Sequence, residues 1–115
     1  MARLKQPHKT KIRIAIKVLR AKNGRWPKLF ADRLERILRA PDKNVVSVIR
    51  ANLGMYEFNW LQAQARGLKE AARQMRKARN VDWMRAAGRE LRQDAAALRD
   101  IQRTVKRLQR IAAED

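Results

Sequence analysis

Seven basic residues, Arg85, Arg89, Arg92, Arg99, Arg103, Lys106 and Arg110, recur at intervals of 3, 4 or 7 near the end of this 115-residue chain. On an α-helix those intervals bring the side chains onto one face. Guanidinium and ammonium groups in a row bond phosphate oxygens, arginine in bidentate fashion, and release the counterions around a polyanion. From Arg85 to Arg110 the row would run about 38 Å. The acids of the same segment, Glu90, Asp94 and Asp100, are expected off that face. A solvated helix face is the plain alternative for any one such row. Here the rows recur. Arg66, Lys69, Arg73 and Arg76 form a second, and Lys9, Lys11, Arg13, Lys17 and Arg20 a third, within an N-terminal region that holds no acid before Asp32.

Other chemistry has little to draw on. The only histidine, His8, falls among basic residues and reads as solvated. Four scattered glycines, 24, 54, 67 and 88, make no phosphate-cradling loop, and the chain has no cysteine. The acid pairs Asp32/Glu35 and Glu90/Asp94 can each share a helix face. Two isolated pairs are too few to hold a catalytic metal and read as ion-pair partners. Asp94 falls on an apolar seam and is expected to meet an arginine of the facing helix. The chain therefore reads as non-enzymatic, with no metal and no cofactor. The aromatics Trp26, Phe30, Tyr56, Phe58, Trp60 and Trp83 mostly suit a small core. Tyr56, Phe58 and Trp60 alternate, so they cannot all face one way on a helix. Trp60 is the candidate for stacking on a base or touching a protein.

Composition sets the frame for these residues. Twenty-nine Lys and Arg against eleven Asp and Glu leave a net charge of +18, while 45% of the chain is hydrophobic. That hydrophobic share supports one folded domain, and the charge calls for an anionic partner. Residues 1–40 carry thirteen bases and two acids, so +11 of the total lies there.

Residues 1–9 read as a basic flexible tail and 10–115 as a single helical domain, with short helices over 10–54 and a hairpin over 55–115. Ile12, Ile14, Ile16 and Val18 alternate as in a strand, while Ile12, Ile16 and Leu19 fit a helix capped by Thr10. Helix is favoured, because only Asn44–Ile49 offers a partner strand. Trp26-Pro27 opens a second helix and Ala40-Pro41 ends it. Asp42 suits the N-cap of a third, which Gly54 stops. Leu61, Leu68 and Met75 repeat every seven residues in a fourth helix running from Met55 to about Arg79. Asn80–Asp82 is a break, with Asp82 capping a last helix whose seam is Met84, Leu91, Leu98, Val105 and Ala112. The expectation is an all-α fold: about five helices in a small bundle with a long C-terminal antiparallel helical hairpin.

These features predict a protein that binds the backbone of DNA or RNA through basic helix faces, in an accessory or packaging role. One rival is a small helical subunit of a larger ribonucleoprotein. The chain resembles CRISPR effector small subunits in size, helicity and charge alone, and residues 44–65, the most apolar stretch, would then be a protein interface. Another rival is a helical scaffold for acidic proteins. No apolar run approaches the roughly 20 residues of a membrane span, and no secretory signal is evident, so a cytoplasmic protein without membrane contact is expected. A heptad seam serves an internal hairpin or a homo-oligomer equally.

Overall fold

The computed structural model describes residues 3–77 and 81–114, with the side chains of 81–84, 86, 87 and 114 left aside. The expected break at Asn80 and the side chains of Trp83 and Met84 lie outside what is described, while Val81 and Asp82 already belong to the last helix, so Asp82 is inside it and not its cap. Five α-helices run in chain order: α1 (Gln6–Arg20), α2 (Arg25–Arg39), α3 (Val45–Asn52), α4 (Met55–Lys77) and α5 (Val81–Glu114). A single 3-10 turn, Asp42–Asn44, leads into α3, and there is no strand among the described residues. The protein is an all-α bundle.

The strand-or-helix question in α1 is settled by burial. Ile12, Ala15, Ile16 and Leu19 are buried, at helical spacing, while Ile14 is 48% exposed. A strand would have placed Ile12, Ile14 and Ile16 together. The helix also starts earlier than expected. Gln6 opens it, Pro7 sits in its first turn where no amide is needed, and Leu4 is buried. Residues 6–9 are thus the first turn of α1 and not a tail. Thr10, expected as the cap, lies inside the helix, and its hydroxyl donates to the Gln6 carbonyl at 3.0 Å.

Gly24, at φ 111°, reverses the chain between α1 and α2. That left-handed region costs a side chain dearly and glycine little. Phe30, Ala31, Leu34 and Ile37 form the buried face of α2, and Val45 and Ile49 that of α3. Asp42, expected as the N-cap, begins the 3-10 turn instead, and Asn44 takes the N-cap position, so α3 starts two residues later than its sequence suggests. At the start of α4, the Glu57 carboxylate accepts the Gly54 N–H at 2.8 Å and pairs with Arg33. It is only 3% exposed, and those two partners are what make its burial tolerable.

α4 and α5 form an antiparallel pair, with Met75 beside Gly88 at one end and Ala65 facing Leu98 toward the other. The C-terminal part of α5, through Leu98, Ile101, Val105, Leu108 and Ala112, packs into the same core as α1, α2 and α3. Arg50 donates to the Ala112 carbonyl at 2.7 Å, satisfying one of the free carbonyls at the end of α5. Val45, Ile49, Leu53 and Leu61 are buried within this chain. The apolar stretch 44–65 therefore mostly builds the core, leaving Met55 and Tyr56 as its exposed large hydrophobics.

Candidate nucleic-acid interface

The basic row of α5 forms an outward ridge. Arg85, Arg89, Arg92, Arg99, Arg103, Lys106 and Arg110 are all exposed, opposite the buried Leu98, Val105 and Ala112. The periodicity explains the placement: each heptad puts leucine, valine or alanine inward and arginine or lysine outward.

Two neighbouring helices flank this ridge. On one side α1 lies along the C-terminal half of α5, and the two enclose a cleft of about 190 Å³. His8 and Lys11 line it from α1; Asp100, Arg103, Thr104, Arg107 and Leu108 line it from α5. On the other side α4 and α5 bound an open groove. Its floor is Ala65, Leu68, Ala72, Leu91, Ala95 and Leu98, and Lys69, Arg92 and Arg99 stand at its edge. Cations from three helices thus line the two hollows beside one ridge. Small alanines in the seam let the two axes approach while the long basic side chains reach past them to water.

His8 is not a solvated tail residue. It is partly buried, and its Nδ1 accepts the Lys5 backbone N–H at 3.4 Å. Burial first, then the positive charges of Arg107 and Lys5, hold its imidazole below the usual histidine range. The neutral ring, with Nδ1 accepting, carries its proton on Nε2. The charges of Arg107 and Lys5 attract an anion to the cleft, while burial and the Asp100 carboxylate in its lining oppose one.

Other predicted residues go elsewhere. Arg20 turns to α2, where it pairs with Glu35 and approaches Asp32 at 3.6 Å. Arg39 also reaches Glu35, at 2.9 Å. The Asp32/Glu35 pair is thus an ion-pair centre between helices, and Arg20 is withdrawn from the α1 row. Arg13 and Lys17 are exposed, Lys9 is partly buried, and none of the three has an ion-pair partner among the described residues. Arg73 is held by Glu70 on its own helix at 2.8 Å. Arg66 and Arg76 are exposed but line neither hollow beside the ridge. Asp100, expected off the ridge, comes within 3.8 Å of Arg103, because residues three apart share a helix face. Asp94 is exposed and pairs with no arginine among the described residues, so it does not meet the facing helix as expected.

Trp60 is partly buried. Phe30 packs against it edge-on, with ring centroids 5.7 Å apart and planes at 73°. Among the described residues, the aromatics left in solvent are Trp26, 57% exposed, and Tyr56, 73% exposed. Two site residues escaped the sequence reading, His8 and Arg107. For Arg107 a signal existed, its position four residues after Arg103.

Among the described residues, no three His, Asp or Glu side chains gather to hold a metal ion. No described helix is long and apolar enough to cross a membrane. No known protein family matches the chain, and no curated protein or solved structure matches it either.

Proposed function

We propose that this chain binds the phosphate backbone of DNA or RNA along the α5 ridge, without catalysis, in an accessory or packaging role. The observation that carries the reading is the company the ridge keeps: Lys11 of α1 and Lys69 of α4 line the hollows on its two sides. A solvated face would need no such gathering from three helices. Phosphate contacts from Lys and Arg supply most sequence-independent affinity through counterion release. The lack of cysteine suits a reducing compartment, and we place the activity in the cytoplasm.

The test is affinity for random-sequence DNA and RNA as a function of salt. Seven phosphate contacts to duplex DNA give a log–log slope of about −6. Reversing Arg92, Arg99 and Arg103 together to glutamate is expected to lower affinity about a hundredfold or more while the helical circular dichroism is unchanged, since all three are exposed. A salt-independent affinity, or a triple variant that binds like the parent, would refute the reading.

A further inference from the structure

An indole ring with more than half its surface in water forgoes much of the stabilisation its burial would bring. Trp26, in the first turn of α2, is such a ring. It does not stand alone. Trp26 and Trp60 both line a hollow of about 560 Å³ between the α1–α2 turn and α4. Phe30, edge-on to Trp60, fixes the second ring in place. The polar part of the lining is Lys22, Asn23, Arg25 and Gln64, with no acid among the lining residues. Gly24 makes this hollow: its positive φ turns the chain sharply between Lys22 and Arg25.

We infer that this hollow takes an unpaired nucleobase with its phosphate, so that the chain prefers single-stranded nucleic acid to continuous duplex. Each part of a nucleotide finds its complement there. Indole faces offer stacking to a flat base, and stacking tolerates any base because every base has a π-face. The carboxamides of Asn23 and Gln64 supply both donors and acceptors for a base edge. Lys22 and Arg25 give the site the charge that a phosphate requires, which an uncharged aromatic ligand would not. A base inside a duplex is already stacked on both faces and cannot enter. The inference rests on the backbone-binding reading, but none of the residues lining the hollow lines either hollow beside the α5 ridge. The two are therefore separable by mutation.

The experiment uses the full chain carrying Trp83→Phe, so that Trp26 and Trp60 report alone. The probes are an oligothymidylate of about twelve nucleotides, its duplex with oligodeoxyadenylate, and inorganic polyphosphate as an anion without bases. Oligothymidylate is expected to quench the tryptophan emission, and polyphosphate to bind without quenching. Trp26→Ala is expected to weaken single-strand binding about tenfold or more, leave duplex binding within about twofold, and be rescued by Trp26→Phe. Because Trp26 is exposed, its loss leaves the core intact. Single-strand affinity unchanged in Trp26→Ala would overturn the inference, as would equal losses for single strand and duplex. If those results came with a steep salt dependence in the parent protein, the hollow would fall and the ridge would stand.

Discussion

The molecule has a body and an arm, and they are held together differently. Every fully buried hydrophobic side chain among the described residues lies between Leu4 and Leu61 or between Leu98 and Ala112. The described residues between, 62–77 and 81–97, are the outer parts of α4 and α5, and there Ala65, Leu68, Ala72 and Leu91 are only partly covered. The body has ion pairs joining helices, Arg20 to Glu35 and Arg33 to Glu57; among the described residues the one in the arm joins neighbours on a single helix, Arg73 to Glu70. Stability thus resides in the body, while the α5 ridge crosses both regions. Arg85, Arg89 and Arg92 ride on the arm, and Arg99, Arg103, Lys106 and Arg110 on the body. The long axis of the molecule, 56 Å against 25 Å in the other directions, reflects this projection.

The largest effect that would test this contrast is loss of a buried leucine. Leu34 is fully buried in the body, so Leu34→Ala is expected to cost about 2–5 kcal/mol. Leu68, half-buried in the arm, is expected to cost less than half of that in Leu68→Ala. Urea midpoints measure both, and native-state hydrogen exchange shows where each acts. Equal costs at the two sites would mean that the arm has a core of its own.

A smaller effect, of opposite sign, comes from the arm's glycines. Gly67 lies inside α4 with nothing within 4 Å of where a Cβ would sit. Gly67→Ala is expected to stabilise by about 1 kcal/mol, from helix propensity alone. At Gly88 a Cβ would meet the Met75 Cε at 3.3 Å, so the gain from Gly88→Ala is expected to be smaller. Methionine is flexible, and its terminal methyl can shift at little cost. The gain should appear as slower exchange of arm amides, with little change in those of the body. Slower exchange throughout would show that the two regions unfold as one.

The helical framework behind this contrast is legible in the sequence, though the contrast itself is not. The heptads Leu61, Leu68, Met75 and Leu91, Leu98, Val105 call for a two-helix seam, and the fold closes that seam within the chain as a hairpin. Burial along α2 follows from Phe30, Leu34 and Ile37 at helical spacing. The convergence of distant residues was not legible. His8 and Lys11 meet Arg103 and Arg107 across more than 90 positions, and no local pattern announces that. Arg20 belongs to a basic row by spacing, yet acids 12 and 15 residues away on another helix claim it. Spacing likewise pointed to Trp60 as the exposed ring, but the Phe30 contact covers it and leaves Trp26 outside. Periodicity reports which face of one helix is apolar; it does not report which helix arrives against that face.

The finest distinction between body and arm lies in their response to acid. Glu35 has its carboxyl held below the usual value of 4.5, first by the hydrogen bond from Arg20, then by the charges of Arg20 and Arg39, against some opposing desolvation. Glu70 is lowered too, by hydrogen bonds from Arg73 and Gln74. A carboxyl lowered on folding contributes stability that is complete above its unfolded value and is lost as pH falls through its native one. His8 acts over a higher range. Its native value lies below 6.5, so the unfolded chain takes that proton first, and stability declines as pH falls below about 6.5. Arg20→Gln is therefore expected to flatten the fall in urea midpoint below pH 4.5, and His8→Gln the shallower fall above it. Arg73→Gln is expected to act in the same sense but on the exchange of the arm amides and not on those of the body, because Glu70 ties α4 only to itself. The Glu35 bond joins α1 to α2, so its loss is felt by the whole body. An acid response that moved with Arg73 and not with Arg20 would reverse the assignment of stability to the body.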